Sequence, residues 1–173
     1  MQPLTDFMRL SLNQATTQPW SLREAVEGCV RAGIPWIGPW RDKVAETGGA
    51  HASARLIRAA GLRVSSLCRG GFFPAPTEPE RRARIDENRR AIDEAAELGT
   101  DVLVLVCGPA PSRDIDAARQ MVEDGIAALI PYAAERGVRL AVEPLHPMYA
   151  GDRSVIVTLA PCATRTGSSR PST

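Results

Sequence analysis

Charge of one sign is missing in excess from this 173-residue sequence. Lys and Arg number 21 against 20 Asp and Glu, for a formal net charge of +1. That balance removes the basic surface nucleic acid demands and the acidic surplus of disordered chains. Cysteine pairs are missing as well: Cys29, Cys68, Cys107 and Cys162 are scattered, with no Cys-x-x-Cys and no disulfide-framework spacing. They read as buried thiols of a reducing compartment rather than as metal ligands. No apolar run approaches the roughly 20 residues a membrane helix needs. Met1 to Leu10 carries Asp6 and no charged start followed by a long apolar stretch, so no signal peptide is expected. There is no G-x-G-x-x-G and no P-loop, which leaves nucleotide binding without support. The expectation is a soluble cytoplasmic protein with neither a membrane nor a nucleic acid as partner.

What is present is a rhythm. Four times an amphipathic helix runs into a glycine and then into an apolar strand, at Gly33, Gly61, Gly99 and Gly137. Glycine just past a helix accepts the left-handed backbone that closes the last turn. The strands that follow are Ile34 to Ile37, Leu62 to Leu67, Asp101 to Val106 and Val138 to Val142, and Met8 to Asn13 reads as a first strand before them. The continuously apolar Val102-Leu103-Val104-Leu105-Val106 has the composition of a parallel strand covered on both faces. The pattern predicts an α/β fold of about five βα units over residues 1–159.

Helix signals fall between these strands. Ser21 with Glu24 and Thr77 with Glu80 form capping boxes, the second with Pro79 in its first turn. Leu22, Ala25, Val26, Cys29 and Val30 share one helical face, and a second helix is expected over roughly His51 to Ala60. The helix from Glu78 to Leu98 offers the core Ile85, Ile92, Ala95 and Ala96. Its Arg82–Asp86, Asp86–Arg90, Arg89–Asp93 and Arg90–Glu94 spacings of four predict a self-neutralising solvated face rather than a nucleic-acid patch. The next helix puts Ile115, Ala118, Met121, Val122, Ile126, Leu129 and Ile130 on one stripe, and Pro131 is expected to kink its last turns. Arg69-Gly70-Gly71-Phe72-Phe73-Pro74 reads as a loop. Ser154 to Leu159 reads as the possible start of another element. Residues 160–173 have no Leu, Ile or Val and are expected to be irregular, a shifted reading frame or artificial end rather than the native continuation.

Chemistry is expected at the C-terminal ends of the strands, where parallel α/β folds place ligands. Glu143 ends the last strand, in Glu143-Pro144-Leu145-His146-Pro147. It is either a working carboxylate or a rim residue facing water. His146 is either a second ligand or substrate contact, or a loop histidine. Asn13, Trp36, Trp40 and Arg69 either line a pocket for a polyol or its phosphate, or serve the core and an ion pair. Gly70 and Gly71 suit either a close ligand approach or a turn.

Three segments carry a resemblance: Leu140 to Pro147, Trp40-Arg41-Asp42-Lys43-Val44, and Leu67-Cys68-Arg69-Gly70-Gly71-Phe72-Phe73. Each falls at a strand end in the right order, and together they resemble the sugar phosphate isomerase/epimerase family of xylose isomerase-like TIM barrels. The resemblance implies an incomplete (β/α)8 barrel holding five of eight units. It implies a small sugar or polyol substrate and enediolate chemistry. It also implies a divalent metal (Mn, Co, Mg or Zn) on four side chains, of which Glu143 matches the first. No residue after Asp152 matches the other three, so the chain is expected to be inactive alone and not to hold the metal stably. Tyr149 stands where ketose epimerases carry a second carboxylate. An unfinished arc is also expected to self-associate through open sheet edges. The alternative is a self-contained flavodoxin-like binding module without metal, distinguished by strand order.

Overall fold

The helix-ending glycines behave as the periodicity predicts. Gly33 and Gly99 close their helices in the left-handed region, and Gly61 and Gly137 also have positive φ. The computed structural model describes residues 7–159. The expected irregular tail, 160–173, and Cys162 lie outside the described residues. The described residues form six strands and five α-helices in the order β1 (Ser11–Asn13), α1 (Leu22–Ala32), β2 (Trp36–Gly38), α2 (Arg41–Glu46), α3 (Ala50–Ala59), β3 (Arg63–Val64), β4 (Leu67–Gly71), α4 (Glu78–Leu98), β5 (Val102–Val106), α5 (Ile115–Glu135) and β6 (Arg139–Val142). Both capping boxes form, on α1 and α4.

Every strand pairing is parallel and follows chain order, β1-β2-β3 and β4-β5-β6. A flavodoxin-like sheet would reverse direction at a switch point, so that alternative is overturned. The two sheets are one arc. A Trp40–Cys68 bridge and the Cys68 N–H donating to Pro39 O at 3.1 Å carry pairing from β2 onto β4. β3 and β4 are therefore two halves of a single barrel stave. The break falls opposite Pro39, which has no N–H to give the ladder. Six segments thus make five staves of a partial TIM barrel, without closure among the described residues.

The loop expected at 69–74 begins later than predicted, because residues 69–71 belong to β4. Gly71 allows this. Its φ is +105°, and a Cβ there would sit 2.0 Å from Val106 O, so the stave can hug β5 only without a side chain. The short helix α2 was not predicted. The helix from Ile115 runs on past Pro131 to Glu135. Ser154 to Leu159 forms no helix or strand beyond a single parallel bridge between Ser154 and Gly108. Its first residues fold back over the strand ends, with Gly108 N–H donating to Arg153 O and Val155 N–H to Gly108 O.

The core lies between sheet and helices. Ile37, Leu67, Leu103 and Leu105 on the sheet meet Leu22, Ile57, Ile92 and Leu129 on the helices, all fully buried. On α4 the buried set is Asn88, Ala91, Ile92, Ala95 and Leu98, whereas Ala96 is exposed and Ile85 only half-buried. Val30, Ile115 and Ile130, expected on buried stripes, are exposed. The acid–base pairing of α4 also differs from the spacing-of-four prediction. Arg89 pairs with Asp86 and Arg90 with Glu87, while Asp93 and Glu94 reach Arg136 of α5 and Arg41 of α2. Helix charges thus tie neighbouring helices together as well as neutralising one face.

Candidate functional site at the strand ends

Strand alternation decides which side chains face the concave side of the arc. A Cβ on Gly70 would meet Asn88 of α4 together with Leu103 and Leu105, so these positions face the helices. Val104 therefore faces the concave side. Cys68 and Ala141 lie opposite Val104, and Glu143 continues the face of Ala141 two residues on. Glu143 is exposed, and its backbone N–H donates to Leu105 O at 3.0 Å. The Cys68 thiol is pushed up to about 11, first by burial and then by the Glu143 charge, with Arg69 pulling down and Asp42 pushing up.

The first two staves contribute a tied pair. Asn13 Oδ1 accepts from Ala15 N–H and from Trp40 Nε1, both at 3.0 Å. Gln14, buried to 1% exposure, accepts Trp40 N–H on its Oε1 at 3.4 Å, and its Nε2 has no hydrogen-bond partner. Trp40 is held by its ring and its backbone. Trp36 is elsewhere: it starts β2 at the opposite end of the strands, donates to Met8 O and lies under the Arg63 guanidinium at 3.9 Å. It is not a mouth residue.

Trp40 and Arg69 line one cleft of about 400 Å³ between α2 and α4, and Asn13, Glu143 and His146 do not. Arg69 bulges out of the β4–β5 ladder and lies over the Phe72 ring at 4.4 Å, so it has an aromatic rather than an acidic partner. His146 is exposed, and its Nδ1 accepts Met148 N–H at 3.2 Å, capping a short 3-10 turn. Tyr149 ends that turn, its ring under Arg153. The close approaches of Gly70 and Gly71 are to Asn88 and to Val106. Neighbouring protein accounts for both glycines.

Sequence reading missed three contributors. Cys68 feels the charges of both Asp42 and Glu143; it directly follows a predicted strand, which was the available signal, whereas Asp42 lies five residues past one. Arg41 clamps α2 to α4. It gives Glu94 two hydrogen bonds of 2.7 Å and Glu87 one of 2.8 Å, and these raise its own pKa, Glu94 foremost. Burial alone would raise Glu87, yet Arg90 and Arg41 together hold it below the ordinary carboxylate value. Nothing in one sequence pairs positions 41 and 94.

A divalent metal needs three or four converging donors. No group of three or more His, Cys, Asp or Glu is placed to hold one among the described residues. The described residues do not fit the family's metal.

Comparison with known proteins matches this geometry. A crystal structure of protein SMc04130 from Sinorhizobium meliloti 1021 is 53% identical, with a TM-score of 0.85 over 90% of this chain and 57% of that one. An IOLI protein with a bound zinc atom is 22% identical, with a TM-score of 0.75 over 90% of this chain and 56% of that one. A D-allulose 3-epimerase from Methylomonas sp. in complex with D-allulose is 21% identical, with a TM-score of 0.66 over 90% and 56%. At those lower identities the likeness is one of fold. The chain spans 57% of the length of the Sinorhizobium protein. No curated protein matches it. The profile that describes xylose isomerase-like TIM barrels matches residues 25–160, which carry β2 through β6 of the parallel arc, and the chain belongs to that family.

Proposed function

We propose that this chain supplies the N-terminal part of a sugar isomerase or epimerase in which Glu143 handles the proton at the reacting carbon. Register carries the reading. Ala141 pairs with Val104 on the concave side, and Glu143 stands two residues further on, at the C-terminal end of the parallel strands, which supports a carboxylate facing that side. The substrate class, a small sugar or polyol, is supported by the epimerase bound to D-allulose among proteins of this fold.

Moving a hydrogen between adjacent sugar carbons requires a base to take a C–H proton beside a carbonyl, leaving an enediolate, and an acid to return it. The Glu143 carboxylate suits both halves of that exchange. Trp40, held by Asn13, offers a flat apolar ring to the C–H face of a sugar, while Arg69 and His146 offer donors to its hydroxyls. The enediolate also needs positive charge close by. In the family this falls to a divalent cation, for which the described residues supply Glu143 and no further convergent set. We therefore assign the 173-residue chain no turnover of its own.

The test joins this chain to the C-terminal units of the Sinorhizobium relative. The chimera is expected to interconvert ketohexoses and to bind manganese in calorimetry. Glu143→Gln in it should cut turnover by about 10²–10⁴-fold. The 173-residue chain should show no turnover and weak manganese binding at most. Turnover indifferent to Glu143→Gln, or tight manganese binding by the short chain, would sink the proposal.

A further inference from the structure

We infer that the cleft between α2 and α4 binds an oxyanion, a phosphate or carboxylate, through Arg69 and Arg84. The cleft holds about 400 Å³, with residues 68–71 of β4 as its floor, residues 40–42 on one wall and Arg84, Glu87 and Asn88 on the other. Five charged residues line it: Arg41, Asp42, Arg69, Arg84 and Glu87. Arg41 is consumed by Glu87 and Glu94, and Glu87 also takes Arg90, so that group of four cancels internally. What remains is Asp42 against Arg69 and Arg84. Among the described residues, neither arginine makes an ion pair.

Arg69 is held in place without spending its donors. Its guanidinium carbon lies 4.4 Å from the centre of the Phe72 ring, and a cation–π contact uses none of the N–H donors that a bidentate oxyanion would take. The ring is itself fixed. Phe72 has φ +57°, a left-handed conformation costing roughly 1–2 kcal/mol for a non-glycine residue. The N–H groups of Phe72 and Phe73 donating to Val106 O and Cys107 O hold it there. Strain of this kind persists where neighbouring structure imposes it, and it concentrates at ligand clamps. Across the cleft, Arg84 is anchored through its carbonyl, which accepts from Asn88 Nδ2 at 2.9 Å. Asn88 also bonds both backbone groups of Gly71. One buried amide therefore sets the spacing between the wall that carries Arg84 and the floor that carries Arg69. A cleft of this size takes an oxyanion and a sugar-sized remainder. Cys68, which lines the cleft, also feels the Glu143 charge, so the remainder would lie toward Glu143. That last placement rests on the sugar-enzyme reading, whereas the oxyanion site does not.

The experiment titrates inorganic phosphate, and separately gluconate, into the 173-residue chain at low ionic strength, followed by calorimetry and tryptophan fluorescence. Saturable binding of either anion is expected, and the one that saturates identifies the oxyanion. Arg84→Gln and Arg69→Gln should each weaken it about tenfold, the loss of a charge-assisted hydrogen bond. Asp42→Asn should tighten it. Arg82→Gln, on the same helix but outside the cleft, should change nothing, and thermal melts check that each variant folds. No saturation by either anion, or equal losses in Arg84→Gln and Arg82→Gln, would overturn the site. A chimera that turns over neutral ketohexoses while these titrations stay flat would remove the oxyanion site and leave the sugar reading intact. Saturable phosphate binding with an inactive chimera would do the reverse.

Discussion

The wall made by β4 and α4 and the flank made by α5 and β6 use the same kinds of side chain and reach opposite states. On α4, Ala91, Ile92 and Ala95 are fully buried, because the helix lies between α3 and α5 and over the sheet. On α5, Ile130 is 56% exposed and Ile126 is half-buried. An apolar cleft of about 960 Å³ runs between that helix and β6. α5 has α4 on one side and, among the described residues, no helix on the other. Burial of an amphipathic stripe is a property of both neighbours, not of the stripe.

The contrast can be broken most sharply at Gly71. Gly71→Ala places a methyl group against Val106 O at a positive φ, and is expected to cost about 3–5 kcal/mol in urea unfolding. A smaller loss would mean that β4 and β5 are less tightly married than the geometry requires. Arg41→Ala removes the clamp between α2 and α4 and should cost about 1–2 kcal/mol at pH 7. The sign of its pH dependence follows from Glu87. The folded-state value of Glu87 lies below the ordinary 4.5, so its stabilisation is present above 4.5 and disappears as pH falls through the lower folded value. The Arg41→Ala penalty should therefore shrink in acid. A penalty constant down to pH 3 would count against the pairing.

At the mouth the effect is finer. Cys68 should resist alkylation at pH 8 and become reactive as pH approaches 11. Glu143→Gln should move that rise to lower pH while leaving it above the usual thiol value, since burial is the larger cause. An unchanged profile would place the Glu143 carboxylate away from the concave side. Smallest is Ile130→Glu on the open flank, expected to change stability by no more than about 0.5 kcal/mol. The same change should reduce self-association in size-exclusion chromatography if the flank and the β6 edge drive it. A chain that is monomeric before the substitution would refute that route.

Much of the fold was legible because its signals are local. The capping boxes at Ser21 and Thr77 and the glycines at 33, 61, 99 and 137 each act within one turn of backbone, so spacing alone exposes them. The position of Glu143 directly after an apolar strand was legible for the same reason. Trp36 misled because a strand residue reads the same from either end, and only pairing with Ser11 and Arg63 shows that it sits away from the mouth. His146 gave no sign that its Nδ1 would cap its own turn.

From the sequence by itself came the alternation of helix and strand, the ends of the helices and the family, all written in neighbouring residues. Tertiary structure alone decided that β3 and β4 form one stave, that Asp93 and Glu94 serve other helices, and that Cys68 and Ala141 share one face of the sheet through Val104. Those outcomes depend on which distant segments become neighbours. Burial, pKa and ion pairing are properties of the neighbourhood, and no single stretch of chain contains them.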